Sequence, residues 1–600
     1  MKIYSFFTGI VILLAFGSLA ACNDDNFLKE QTESSYTYSN AFTVSSQVND
    51  CVTELYYKHK KTIYPTSDQQ NYLQGMGTDV YDLPFRHANM ISNFSNWNSN
   101  YKVPVYAFNN FYQLIAQANL VLYGAEQVSW GDEKDKVQAV AQARFFRGYG
   151  YMNLAELFGG VPVTESFSET PKFDFQRETR ENTYLYAINE MEAAVNVLPD
   201  HALPGRIGKG AVYHYLAECY MALATIKNND AALLDKSVNA ANEVMKLHSL
   251  MSARFGSRAN STSTDVFNDI PAYYPDGDVF FDLFQRGNLD YEEGNTESLW
   301  VDQNDYKSFE QYGDRGNCNN FPRLFTHAIR DVLWRPQYVE PGAKGGPWNL
   351  ATLDKWGAED KNSAYIGGRG VALCQPTFYA RKDIWENCGD DIRNNSLNIR
   401  RSFKVMDESH SLYGLVITEE TILQYCTDVT SVQFYPMYTK LAPIDDWGYE
   451  GLSSGKNNRT NLFTDFYFCR LAETYLLRAE AKLRKGDATG AAADINEVRR
   501  RAKAPLVAPG EVTFDYILDE RIRELYGEER RWNTLLRMGG NIPNDRITKH
   551  AIGVADVGGA NPSTPLWTGN IGQDFLFPIP QSVIDSNLDA QLEQNPSNLW

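Results

Sequence analysis

Beyond Leu19 the chain has no apolar run long enough to cross a bilayer, so any membrane attachment must come from something other than a spanning helix. It lacks a surplus of positive charge. The formal net charge of −19 argues against nucleic acid as a partner, because phosphate binding needs a basic face. It lacks a cysteine framework too. Setting Cys22 aside leaves Cys51, Cys219, Cys318, Cys374, Cys388, Cys426 and Cys469, an odd set with no C-x-x-C pair, which argues against both disulfide scaffolding and a zinc site. Most of them read as small buried apolar residues. The eight histidines are scattered, with no H-E-x-x-H, and neither a G-x-S-x-G element nor a P-loop is present. No resident metal, no cofactor and no catalytic residue is therefore expected.

What is present begins with a targeting signal. Lys2 supplies a positive start, and Phe6 to Leu19 is an apolar stretch of secretory-signal length. Leu19-Ala20-Ala21-Cys22 resembles the bacterial lipobox, with residues 1–21 removed and Cys22 lipidated. Asn23-Asp24-Asp25 resembles an acidic export tag for the outer face of the outer membrane. The expectation is a folded body on a lipid anchor at the surface of a Gram-negative cell, long enough for two to four domains.

Two blocks carry helical periodicity. In residues 22–250, Val137, Ala141, Phe145, Gly148, Met152 and Ala155 share one face of a helix. Gly159-Gly160-Val161-Pro162 should end it, with Gly in the left-handed position after the last turn. Further helices are expected over Asn182–Leu198, Gly208–Ile226 and Ala231–Leu247. In residues 456–545, Phe468, Leu471, Tyr475, Ala479 and Leu483 form a stripe. A turn at Gly486-Asp487 follows, then a returning helix with Ile495, Val498 and Ala502, then a third from Thr513. Helix pairs of this length predict a mostly α fold, a tetratricopeptide-like scaffold of helical hairpins forming an α-α superhelix. Between the blocks, residues 251–455 lose periodicity and are rich in Gly, Asn, Asp, Tyr and Trp. They read as an inserted ligand-binding region of irregular loops and short strands on a rigid scaffold. Residues 546–600 form a closing segment.

Several motifs fall in a recognisable order: Phe27-Leu28, then Ala141 to Arg147 leading to the Gly159-Gly160-Val161-Pro162 stop, then Gly205-Arg206-Ile207-Gly208-Lys209-Gly210-Ala211. Asn295, Glu297, Ser298 and Gln303 come next, followed by Arg470-Leu471-Ala472-Glu473-Thr474-Tyr475-Leu476, Asn496-Glu497-Val498-Arg499 and Glu520-Arg521. Phe577-Pro578-Ile579-Pro580 and Gln594-Asn595-Pro596 close the series. Over nearly all of the mature chain this resembles the SusD/RagB family of outer-membrane nutrient-binding lipoproteins. Glu529 and Thr534, beside Arg531-Trp532, depart from the Gly and Asp of the family pattern, and Ser597-Asn598 replaces its terminal Gly-Tyr. The resemblance implies a surface glycan-binding protein, not an enzyme. It also implies a partner, a SusC-like TonB-dependent porin that the protein would cap as a lid while handing over oligosaccharide.

Glycan recognition needs flat aromatic faces against sugar C–H patches, with amides and charges for the hydroxyls. Two segments supply them. Residues 81–101 hold Phe85, Phe94, Asn96 and Trp97. The irregular middle holds Trp334, Trp348, Trp356, Tyr365 and Arg369. Trp97, Trp334, Trp348 and Trp356 lie among Gly, Pro, Asn and charged residues, a context that suits a loop platform or core packing alike. Arg369 suits either a sugar hydroxyl or loop bracing. Trp300, Trp385 and Trp532 read as core. Asp276, Asp278 and Asp282 read as a solvated turn, since a complete calcium loop is absent. Arg499-Arg500-Arg501 reads as a solvated helix end or as ion-pair donors. A glycoside hydrolase, a peptide-uptake member of the same family and a pure protein-interaction scaffold remain as alternatives.

Overall fold

The computed structural model describes residues 41–64, 75–82, 97–260, 277–305, 307–308, 311, 321–327, 370, 374–404, 415–422, 434–442, 463–550 and 571–596. Six helices come first: α1 Ser45–Ile63, α2 Lys102–Gln127, α3 Glu133–Phe158, α4 Arg180–Val195, α5 Lys209–Ile226 and α6 Ala231–Leu247. Five longer ones follow late in the chain: α7 Leu471–Arg484, α8 Ala488–Arg501, α9 Phe514–Leu525, α10 Arg531–Met538 and α11 Ile542–His550. Each of α1 to α6 packs on the next, and α7 packs on both α6 and α8. The two helical blocks are thus one stack of hairpins, resumed at α7 after the intervening region.

The helix starts follow side-chain chemistry. Asp132, Thr179, Asp230, Asp487 and Thr513 each accept a hydrogen bond from a backbone N–H of the first turn they precede, at 2.8–3.0 Å. Each satisfies a donor that would otherwise lack an intrahelical partner. At the Gly486-Asp487 turn, Gly486 has φ +81° and Asp487 caps α8. Gly159 ends α3 with φ +75°.

Two expectations about packing are corrected. Val137 is 41% exposed, and from Phe145 to Phe158 helix α3 is buried on every side. A one-face stripe does not describe it, because α2, α4 and α10 surround it. Phe468 belongs to a strand rather than to the following helix. Strand β8, Phe466–Arg470, pairs antiparallel with β2, Ser298–Asp302, and α7 begins only at Leu471.

Short strand pairs among the described residues link the intervening region to the first block and to itself: β1 Tyr81–Asp82 with β3 Gln375–Pro376, β4 Ile399–Arg400 with β7 Met437–Tyr438, and β5 Phe403–Lys404 with β6 Val416–Ile417. A buried ionic web ties this region to the stack. Glu524 accepts from Arg470, Arg501 and Arg393, while Glu297 faces Arg470 and Arg501, each at 3.1 Å. Glu520 meets Arg393 at 2.8 Å, Arg499 at 2.6 Å and Arg523 at 3.0 Å. Burial pushes the Glu520 carboxyl up, but these guanidiniums outweigh it and bring it to about 2. Within the arginine run, Arg499 and Arg501 are therefore buried ion-pair donors, and Arg500 alone is a solvated end paired with Glu497. Such charges are tolerated in the core only because each is matched by several opposite ones.

Candidate ligand-binding site

The site is built on the β1–β3 pair. Tyr81 lies opposite Pro376 and Asp82 opposite Gln375. Thr377 extends the junction: its N–H donates to Val80 O at 2.9 Å and its hydroxyl to Asp79 O at 2.8 Å. Asp82, the last described residue before the first aromatic segment, ends this pair.

The described residues that flank the second segment meet beside the same base. The Cys374 N–H donates to Leu324 O at 2.8 Å. A Cβ on Gly370 would lie 2.3 Å from His327 O and 2.4 Å from Thr326 O, so only glycine allows the backbone to approach there. The chain before residue 328 and the chain after residue 369 are thereby held side by side, next to the strand that receives Asp82.

The base is stiff for identifiable reasons. Tyr81 is buried; its hydroxyl accepts from Gly527 N–H at 2.6 Å and its ring meets Tyr526 at 5.0 Å and Phe325 at 5.4 Å. Tyr438 stacks on Tyr526 at 3.7 Å. Beneath them Asp79 takes two bonds from Arg531, at 2.9 and 2.6 Å, and one from Arg546 at 2.8 Å. Burial alone would raise the Asp79 carboxyl, but the two guanidiniums hold it well below the usual carboxylate range. Glu529, one of the departures from the family pattern, bridges Arg521 at 2.5 Å and Arg531 at 3.0 Å. That substitution is absorbed into an ion-pair chain. Alongside, His327 packs against Phe403 at 4.5 Å and Phe434 at 5.0 Å, and burial lowers its imidazole to about 3. It is a neutral core residue.

The sequence candidates divide sharply. Trp97 is fully buried, with Tyr101 and Phe577 each 5.1 Å away and Trp532 at 5.4 Å. This corrects its assignment as a ligand platform: it anchors the far end of the first segment in the core, because the closing segment brings Phe575 and Phe577 over it. Tyr81, at the start of that segment, is likewise core. Phe85, Phe94, Asn96, Trp334, Trp348, Trp356, Tyr365 and Arg369 lie outside the described residues, as does Cys22. Trp300, Trp385 and Trp532 are buried as expected. Trp300 is caged by His59 at 4.3 Å and Phe468 at 4.6 Å. Asp278 caps a short helix and accepts from Asn395 and Asn398 at 2.9 Å each. Asp282 is fully buried against Arg254 at 2.7 Å and Arg258 at 3.5 Å. Neither is part of a solvated turn, and both are engaged by protein side chains; Asp276 lies outside the described residues.

Sequence reasoning did not single out Asp79 as a residue that fixes the base. The partners of Asp79 lie beyond residue 530, and no local pattern marks such a pairing.

Two family models match the chain: the SusD family over residues 368–599, and "Starch-binding associating with outer membrane" over residues 24–221. The starch-binding protein SusD of Bacteroides thetaiotaomicron is 49% identical over 452 residues, covering 71% of this chain and 68% of that protein. Among solved structures, a SusD homolog from Bacteroides thetaiotaomicron superposes with a TM-score of 0.61 at 19% identity, covering 94% of this chain and 99% of the other. Surface glycan-binding protein A from Bacteroides thetaiotaomicron, in complex with laminarihexaose, gives 0.58 at 17% identity over 93% and 100%. At these identities the structural likeness speaks for the fold.

Proposed function

We propose that this chain, which belongs to the SusD family, binds oligosaccharide or polysaccharide at the outer-membrane surface and passes it to a SusC-like TonB-dependent transporter, over which it acts as a lid. It is a binding protein, not an enzyme, like its relatives. The observation that carries the reading is the β1–β3 pair. It joins described residues that flank both segments in which the sequence concentrates aromatic and amide side chains.

The chemistry suits a neutral glycan. Trp348, Trp356 and Tyr365 offer faces for sugar C–H patches, and Asn96 and Arg369 offer donors for hydroxyls. One relative is named for starch and one structural neighbour is in complex with laminarihexaose, both uncharged, and a chain of net charge −19 has no electrostatic reason to prefer a polyanion. Lipidation at Cys22 would tether the body at the membrane, where a transporter lid has to sit.

The test is calorimetry of the mature chain lacking Cys22 against maltoheptaose, laminarihexaose and casein peptides, with sugar release measured in the same tubes. Saturable glycan binding without release is expected. Release of sugar would make the protein a hydrolase. Peptide binding with no glycan binding would keep the family and overturn the cargo.

A further inference from the structure

A second surface, sharing no residue with the β1–β3 base, has the build of a carbohydrate site. Two grooves run along the extended segment after α3, one of about 540 Å³ and one of about 730 Å³. They have Thr164, Lys172 and Phe175 in common, so they adjoin along this segment and make up one trough-like surface. Its walls are α2 on one side, α4 on the other, and the closing segment after residue 580 at one end. We propose that this trough is a second oligosaccharide-binding site, for a neutral linear glycan; the inference rests on the glycan-binding reading of the chain.

The lining is amphipathic in the way a sugar chain is. Tyr112, Phe173, Phe175 and Tyr186 contribute aromatic surface, and Phe173 is 42% exposed. Asn109 and Gln113 from α2 and Asn189 from α4 add amide groups between them. Lys172 is offset by Asp174 at 3.7 Å, and Glu165 and Glu178 also line the trough, so no net positive field selects an anion.

The walls are also held in place. The Asn587 side chain clamps Phe175 by accepting from its N–H at 2.8 Å and donating to its carbonyl at 2.9 Å. The Phe173 carbonyl accepts from Asp589 N–H at 2.9 Å. The Tyr112 hydroxyl donates to Pro162 O at 2.6 Å, and Tyr186 is wedged between Tyr151 at 5.0 Å and Arg147 at 5.7 Å. Side chains fixed before binding lose little freedom on binding, which is what a shallow site of weak contacts needs.

The experiment is titration of the mature chain with maltoheptaose and laminarihexaose by calorimetry, using the wild type, Trp348→Ala and the double variant Phe173→Ala/Tyr186→Ala. Thermal melting controls for folding, and hydroxyl-radical footprinting of the Phe173–Phe175 peptide gives a local readout. Two sites per chain are expected, with the double variant losing one and Trp348→Ala weakening the other. Protection of the Phe173–Phe175 peptide should persist in Trp348→Ala. A single site abolished by Trp348→Ala, with that peptide unprotected in the wild type, overturns the trough and leaves the family function intact. Binding lost only in the double variant would instead refute the loop platform and keep the trough. No binding of either glucan, with a casein peptide or the chain's own N-terminal segment protecting the trough, refutes a carbohydrate site there.

Discussion

Asp82 and Gln375 face each other in a two-residue antiparallel pair, and this contact brings two segments far apart in sequence onto one base. The pair is short, so its persistence depends on what lies under it: Asp79 locked by Arg531 and Arg546, and Tyr81 locked by Gly527 and Tyr526.

Trp348→Ala and Trp356→Ala should each weaken glycan binding about tenfold, from a stacking contribution of about 1–2 kcal/mol. Melting temperatures should stay at the wild-type value. Calorimetry on both variants reads this directly, and a variant that melts early instead would place that tryptophan in the core.

Trp97→Ala should behave in the opposite way. Removing a fully buried indole from among Tyr101, Trp532 and Phe577 should cost about 3–5 kcal/mol of stability. Urea unfolding would show a lower midpoint at an unchanged slope.

Asp79→Asn should leave Arg531 and Arg546 short of a buried counter-charge and cost about 3–5 kcal/mol. The sign with pH follows. The folded Asp79 carboxyl lies below its unfolded value of about 3.9, so its contribution is present above that pH and disappears as pH falls towards the folded value. Glu520 and Glu524 act in the same direction. Wild-type protein should lose stability steeply on acidification below about pH 4, and Asp79→Asn less steeply. Acid titration followed by circular dichroism compares the two slopes.

Glu156 works in reverse. Burial first, and the neighbouring Glu218 second, raise its carboxyl to about 7. Its unfolded value is about 4.3, so between these values the folded state holds the extra proton. The contribution is complete below about pH 4.3 and lost as pH rises through about 7. Glu156→Gln keeps an oxygen to accept from the Asn533 amide, which now donates at 2.7 Å, and removes the ionisation. Thermal melts should show the variant gaining on the wild type as pH rises from about 5 to about 8. Equal gains at both ends would mean that Glu156 does not titrate in this range.

Gly160→Ala should destabilise more than Gly159→Asn. A Cβ at position 160 would stand 1.9 Å from Glu178 O, which the backbone cannot yield without moving the start of α4. At position 159 the backbone holds φ +75° with ψ −131°, which strains any side chain, but the added Cβ would meet only the end of a side chain, Leu576 Cδ1 at 2.9 Å, which can move. Melting of the two variants side by side orders them.

Local chemistry was readable wherever the responsible residues are near one another in the chain. Asp487 after Gly486, Thr513 before Phe514 and Gly159 before Pro162 each mark a helix boundary within a few residues, and each boundary falls there. Ala231–Leu247 is helical over the whole stretch expected. The mostly helical hairpin scaffold and the SusD family follow from such local signals taken in order.

Position in the third dimension was not readable, because it depends on partners the local sequence does not contain. Trp97 sits in the same Asn-rich company as a surface platform would, yet Trp532 and Phe577 close over it. Phe468 continues a helical stripe in sequence, yet Ser298–Asp302 recruits it into a strand. Arg499-Arg500-Arg501 suited a solvated helix end or ion-pair donors alike, and carboxylates from Glu520, Glu524 and Glu297 decide for ion pairing at Arg499 and Arg501. The sequence by itself determined the helices, their caps and the family, since hydrogen-bond and periodicity requirements act over a few residues. Trp300, Trp385 and Trp532 were legible as core, but only the tertiary structure decided the burial of Trp97, Arg499 and Arg501, because burial is set by what packs against a residue from elsewhere in the chain.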